Sequence, residues 1–119
     1  MKKLIMVVDD EADIRNTVRT VLETKGYEVV TAEDGDDCLS KLKKLKSKPS
    51  LILMDIMMPG TPVREVVKKI SGIKIAYLSV VRVSEAETEQ MLGQKNIVDF
   101  IQKPFDIKDL LARVKKLVG

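Results

Sequence analysis

The stretch "LILMDIMMPG", residues 51–60, decides the predicted fold because it joins a buried strand to a charged end. Its first four residues are apolar, which is typical of a β-strand covered on both faces of a parallel sheet. Asp55 follows directly, and Pro59 and Gly60 indicate the end of the segment. An isolated carboxylate in a protein interior is costly, so Asp55 must be paired, hydrated, bound to a metal or neutralised.

Apolar runs elsewhere in the chain predict four more strands: "LIMVV" (4–8), "YEVVTA" (27–32), "KIAYLSV" (74–80) and "IVDFI" (97–101). Segments with apolar residues at helical spacing separate these runs. Their apolar positions are Ile14, Val18, Val21 and Leu22; Cys38, Leu39, Leu42 and Leu45; Val63, Val66, Val67 and Ile70; and Ile107, Leu110, Leu111, Val114, Leu117 and Val118. A mostly polar helix is predicted at 84–94. This alternation predicts a flavodoxin-like, doubly wound (βα)5 fold of the α/β class.

Length and composition predict one globular domain spanning residues 1–119, with 45% hydrophobic and 33% charged residues. The first apolar run is too short for a secretory signal or a membrane span. The single cysteine, Cys38, excludes an intrachain disulfide and favours a reducing, cytoplasmic location. Because the chain contains no histidine, Ser-His-Asp triads and histidine general bases are also excluded.

The net charge of +3 comes partly from the lysine-rich stretch "KLKKLKSK", residues 41–48. Such a run is most often a solvated helix face. A nucleic-acid patch is the alternative, but two Tyr, two Phe and no Trp leave few aromatic rings to stack on bases. The sequence therefore predicts neither nucleic-acid nor membrane binding by this domain.

Polar residues interrupt the pattern at the carboxyl ends of four predicted strands: Asp9 and Asp10, Asp55, Ser79, and Lys103. Ligands of doubly wound sheets bind at this edge. Taken singly, each residue has an ordinary interpretation as a helix cap, a satisfied hydroxyl or a surface lysine. Together they suggest a carboxylate cluster that would attract Mg²⁺ beside a lysine and a hydroxyl. Such a site suits phosphoryl transfer, which depends mainly on positioning and charge neutralisation.

At this point the chain resembles the receiver domain of two-component response regulators, of the chemotaxis CheY type. The resemblance rests on "VVDDE" (7–11), "LILMDIMMPG" (51–60), "YLSVVR" (77–82) and "FIQKPF" (100–105). It implies the strand order 2-1-3-4-5. It also implies a switch that receives its phosphoryl group from a sensor histidine kinase and controls a partner or output domain.

The resemblance further implies a role for each site residue. Asp55 corresponds to the phosphoryl acceptor. Asp10, Asp55 and the backbone carbonyl of Met57 correspond to Mg²⁺ ligands, with Asp9 acting through water. The switch residues are Ser79, Lys103, in a cis bond to Pro104, and Phe100, although Phe100 is equally compatible with a plain core position. Partners would bind the face formed by segment 84–94, the fifth strand and the last helix. A homodimer that forms on phosphorylation is a further implied partner.

Two departures from the family pattern flank the predicted site. Val80 stands where the family usually has Ala or Gly, and Met57 offers no side-chain donor to an attacking water molecule. We predict that both slow self-dephosphorylation, so Val80→Ala should shorten the lifetime of the phosphorylated form. The decay of the phosphorylated protein measures this, and an unchanged lifetime in the variant refutes the role of Val80.

Two other functions fit parts of the pattern. One is a phosphatase or phosphotransferase with an aspartyl-phosphate intermediate, but the place of its usual general acid is occupied by Met57. The other is a receiver-shaped binding module that no longer takes phosphate. The presence of Asp10, Asp55, Ser79 and Lys103 disfavours that module.

Overall fold

The computed structural model describes residues 2–56, 60–79 and 96–118. Five strands lie in this part of the chain: β1 (Leu4–Val8), β2 (Glu28–Ala32), β3 (Leu51–Asp55), β4 (Lys74–Ser79) and β5 (Ile97–Gln102). Its helices are α1 (Ala12–Thr24), α2 (Gly35–Lys44), α3 (Val63–Lys68) and a last helix, Ile107–Val118. The predicted helix at 84–94 lies outside the described residues.

The five strands form one parallel sheet in the order β2-β1-β3-β4-β5. This arrangement confirms the predicted doubly wound fold. Chain order reverses between β1 and β3, so the carboxyl ends of these two central strands flank the switch point. Asp9 follows β1 and Asp55 ends β3, which places two of the predicted site residues there.

Side chains that alternate along the central strands build a separate core on each face of the sheet. Met6, Ile52 and Met54 belong to the core that also contains the buried residues of α2 and α3. Ile5 and Leu53 belong to the core formed with α1 and the last helix. Because both faces are covered, all five residues of β3 are buried, as its continuous apolar run predicts.

Most predicted strand ends coincide with the observed ones, and the others differ by one residue. β2 begins at Glu28, since the Tyr27 amide donates instead to the carbonyl of Leu22 and closes the turn after α1. Asp55 belongs to β3 as its last residue, and β5 extends to Gln102. β4 ends at Ser79 among the described residues, and Val80 lies outside them.

The prediction that Ile70 continues the third helix is wrong, because α3 ends at Lys68. The amides of Lys69 and Ile70 donate to carbonyls three residues earlier, at 3.0 Å each, which tightens the final turn. Ile70 is nevertheless buried, so its predicted place in the core is correct.

Gly35 permits the close approach of α2 to α3. A Cβ atom at this position would lie 2.4 Å from Cγ2 of Val66. We expect Gly35→Ala to destabilise the fold, because overpacking costs about 1–3 kcal/mol whereas the helix propensity of alanine returns less than about 1 kcal/mol. Urea unfolding measures the loss. The substitution should cost less in a Val66→Ala background, and an equal cost in both backgrounds would contradict the proposed contact.

Cys38 is fully buried, and its thiol lies 3.5 Å from the sulfur of Met6. Burial, with a smaller contribution from the charge of Asp37, raises the pKa of the thiol to about 12. The thiolate is therefore scarce at neutral pH, and Cys38 acts as a core residue. No helix in the described part of the chain has both the length and the apolar character needed to cross a membrane.

Candidate phosphoryl-acceptor site

The loop after β1 holds Asp9 rigidly at the carboxyl edge of the sheet. Its amide donates to the Ala32 carbonyl of β2 at 3.1 Å. The guanidinium of Arg15, one turn into α1, donates to the Asp9 carbonyl at 2.7 Å. Oδ1 of Asp9 accepts the amide of Glu11 at 2.9 Å. Three hydrogen bonds thus fix the backbone and Oδ1 of Asp9. Its other carboxylate oxygen, Oδ2, contacts the rest of the site.

The helix-cap interpretation of the first acidic pair does not fit this geometry. Glu11 occupies the N-cap position of α1 and makes no side-chain cap hydrogen bond. Asp9 bonds the amide of that cap residue instead of an amide within the helix. Asp55 caps no helix among the described residues either, where the next helix, α3, begins eight residues later at Val63. Neither carboxylate therefore caps a helix in the described part of the chain.

Lys103 links the two buried aspartates. Its ammonium lies 2.5 Å from Oδ2 of Asp9 and 3.7 Å from Oδ2 of Asp55. All three side chains are nearly inaccessible to solvent, with 0% of Asp9, 4% of Asp55 and 6% of Lys103 exposed. A buried charge requires a partner, and here one ammonium serves two carboxylates. Lys103 is therefore one of the groups that compensate the charge of Asp55.

The backbone around Lys103 joins the same edge to β4. The Lys103 amide donates to the carbonyl of Ser79 at 2.6 Å, and the Lys103–Pro104 peptide bond is cis, as predicted. Ser79 is fully buried at the end of β4. The edge therefore brings together Asp9, Asp55, Ser79 and Lys103 from four different strand ends.

Asp10 completes an acidic group that could hold a cation. One carboxylate oxygen from each of Asp9, Asp10 and Asp55 lies within 4.8 Å of the others, and Asp10 is exposed. Three carboxylates and the Lys103 ammonium carry a combined charge of −2. This charge and this all-oxygen donor set fit one Mg²⁺ ion, which usually takes one or two carboxylates and keeps several waters. The other predicted ligand, the carbonyl of Met57, lies outside the described residues.

Phe100 stands apart from the charged group. It is half-buried and packs against the core on the α2–α3 face, with Tyr77 as its neighbour in β4. This contact matches the core interpretation that the sequence left open, and a switch role for Phe100 stays a prediction.

Arg15 is the residue that the sequence analysis missed. Neither its residue type nor its position in the sequence, one helical turn after Glu11, marks it as a site residue. Its contact with the Asp9 carbonyl depends on the sharp turn between β1 and α1, which only the folded chain reveals.

The fold and this edge define a doubly wound domain in which two carboxylates at the switch point share one lysine. Comparison with known proteins identifies the family of this domain. The model for the response regulator receiver domain matches residues 5–115. The chain belongs to that family, whose members act in two-component phosphorelay signalling.

Two of the relatives that the chain matches are named as transcriptional regulatory proteins. It is 35% identical to the alkaline phosphatase synthesis transcriptional regulatory protein PhoP of Bacillus subtilis, over 99% of this chain and 49% of that protein. Its identity to the transcriptional regulatory protein ResD of the same organism is 37%, over 96% of this chain and 47% of that protein. The chain thus spans about half the length of these relatives.

A solved structure supports the fold independently. The CheY-like response regulator receiver domain protein from Methanospirillum hungatei superposes with a TM-score of 0.83. It is 32% identical, and the match covers 100% of this chain and 96% of that one.

Proposed function

We propose that Asp55 accepts a phosphoryl group from the phosphohistidine of a sensor histidine kinase. The observation that carries this proposal is the ammonium of Lys103 held between Asp9 and Asp55 at the switch point of the sheet. In the transfer, a carboxylate oxygen of Asp55 bonds to phosphorus as the phosphorus–nitrogen bond breaks and the kinase imidazole leaves. Lys103, 3.7 Å from Asp55, is close enough to attract an oxygen of the incoming phosphoryl group.

Mg²⁺ is the proposed cofactor. Asp10, Asp55 and the carbonyl of Met57 would hold the ion directly, with Asp9 interacting through water. When bound, the ion neutralises charge on the transferring phosphoryl oxygens. The three carboxylates would hold such an ion in place, because Asp9 and Asp55 are fixed by the sheet and by Lys103.

We expect Asp10→Asn to weaken Mg²⁺ binding by roughly tenfold or more, because the site loses its exposed carboxylate and one negative charge. Isothermal titration with MgCl₂ measures the affinity. Asp13→Asn removes an equal charge from the first turn of α1 and serves as the matched control. Equal weakening by both substitutions would indicate a general field effect and contradict a direct ligand.

Phosphorylation would then act as a conformational switch. Ser79 and Phe100 occupy the end and the middle of the neighbouring strands β4 and β5, and the Lys103 amide joins the two strands at the site. A phosphoryl group that gains contacts with Ser79 and Lys103 in one conformation would raise the population of that conformation. Phe100 would transmit the change by packing alone, since it has no hydroxyl.

The proposed partner surface includes segment 84–94, β5 and the last helix. In its described part, Arg113 donates to both carboxylate oxygens of Asp99, at 3.0 and 3.1 Å, and to Asp109 at 3.1 Å. These half-exposed charges offer polar contacts to an output domain, a separate protein or a second copy after phosphorylation. We propose that the domain, comprising residues 1–119, works in the cytoplasm and contacts neither nucleic acid nor membrane itself.

A phosphoryl-donor assay separates this switch from the two alternatives. With the kinase or a small phosphodonor and MgCl₂, the switch forms one adduct that disappears in Asp55→Ala. Continuous release of phosphate would instead favour an enzyme with turnover. Absence of an adduct from a folded protein would favour a binding module.

A further inference from the structure

A groove lined by lysines lies at the opposite end of the sheet from Asp55. It runs between the carboxyl ends of α2 and α3 and encloses about 510 Å³. Its apolar floor includes Leu42, Leu45 and Ile73. Its rim carries four exposed lysines, Lys43, Lys46, Lys48 and Lys69. We call this surface the lysine groove.

The rim lysines are not paired with acidic groups in the described part of the chain. None of the four contributes an ion pair or a side-chain hydrogen bond there, whereas Lys41, Lys68 and Lys103 pair with acids and Lys74 donates to the carbonyl of Leu117. Lysines near helix ends also offset the helix dipole, which accounts for Lys43. The same effect extends to Lys46, next to the C-cap of α2, and to Lys69, the C-cap of α3, but it fades within one turn and does not account for Lys48.

The floor distinguishes the groove from an ordinary basic surface. Leu42 and Leu45 are only partly buried against the core, so their outer parts face the depression. A second depression of about 570 Å³ shares Ile70 and Ile73 with the groove and continues to Val98, which is exposed. Apolar surface rimmed by polar residues marks sites of interaction, and unpaired lysines attract acidic partners.

We propose that the lysine groove binds a partner segment that combines acidic with apolar side chains. The carboxylates would lie on the lysine rim and the apolar side chains on the leucine and isoleucine floor. A nucleic-acid backbone would leave the floor unused, and a membrane surface would contact protrusions more readily than a depression. The acidic stretch of a second copy, "EDGDD" at 33–37, offers charge but no apolar side chain. This proposal is independent of phosphorylation at Asp55.

The probe is a fluorescein-labelled peptide of twelve residues in which glutamate and leucine alternate, followed by fluorescence anisotropy. We expect the double variant Lys46→Glu, Lys69→Glu to weaken binding by roughly tenfold, because two attractions become repulsions. The matched control is Lys108→Glu, Lys116→Glu, which makes the same change of net charge at two exposed lysines of the last helix that line neither the lysine groove nor the depression beside it. The control should change binding by less than roughly threefold.

Two altered peptides test the chemistry of the ligand. Replacing glutamate by glutamine, or leucine by serine, should each abolish most of the binding to the unmodified protein. The proposal is overturned if both double variants weaken binding equally or if the serine peptide binds as well as the leucine peptide. Equal affinity for a single-stranded oligonucleotide or for anionic vesicles, or self-association through the groove, would overturn it too. Circular dichroism and urea unfolding of each variant verify that it is folded.

Discussion

Asp55→Asn will abolish phosphoryl incorporation, because an amide oxygen is too weak a nucleophile to replace the carboxylate. Incorporation is measured with radiolabelled phosphodonor in the presence of MgCl₂. Asp36→Asn is the matched control, since Asp36 is an exposed aspartate whose carboxylate accepts the hydroxyl of Thr61 and lies outside the acidic cluster. The control should incorporate phosphate like the unmodified protein.

The stability of the same variant separates chemistry from misfolding. Asp55 lies close to two other carboxylates, and removing one charge from such a group relieves repulsion. Asp55→Asn should therefore be at least as stable as the unmodified protein in the absence of Mg²⁺. Full incorporation of phosphate by this variant would show that another residue is the acceptor.

Lys103→Met will cause the largest loss of stability expected from any single side chain of the site. Asp9 is fully buried, and its Oδ2 accepts the Lys103 ammonium at 2.5 Å. Removing one member of a buried ion pair strands the other charge, which costs about 3–5 kcal/mol. Because the chain has no tryptophan, urea unfolding followed by circular dichroism is the suitable measurement.

Mg²⁺ should restore part of the stability lost in Lys103→Met, since a cation can replace the missing positive charge beside the carboxylates. Lys108→Met is the control, because Lys108 is an exposed lysine of the last helix. Its free energy of unfolding should change by less than about 0.5 kcal/mol. Equal stability of the two variants would contradict the structural role of Lys103.

The sequence was sufficient for the fold because the strands follow one another as nearly continuous apolar runs. Every strand lies within one residue of its predicted position in the described part of the chain, and β1 matches completely. Ile70 was assigned to the third helix because buried apolar residues continue at helical spacing as far as Ile70. The backbone hydrogen bonds there already belong to a tighter turn. Burial and helix geometry usually coincide, and at the end of α3 they do not.

The sequence was enough to predict which residues form the site and which strand ends carry them. It was not enough to predict which of these side chains pair with one another. Asp9, Asp55, Ser79 and Lys103 could be assigned to one edge because the carboxyl ends of parallel strands meet there. The sequence did not reveal that Lys103 contacts Asp9 more closely than Asp55, because that depends on side-chain reach across two strands. Nor did it reveal Arg15, whose contact depends on a backbone turn.

The central claim is that Asp55 is the Mg²⁺-dependent phosphoryl acceptor of this receiver domain. Mass spectrometry of the protein after incubation with phosphodonor, with and without EDTA, tests it most directly. We predict the added mass of a single phosphoryl group, located by peptide mapping to Asp55 and absent when EDTA removes the metal. Phosphate on another residue, or an equal yield on Asp55 in EDTA, would contradict the claim.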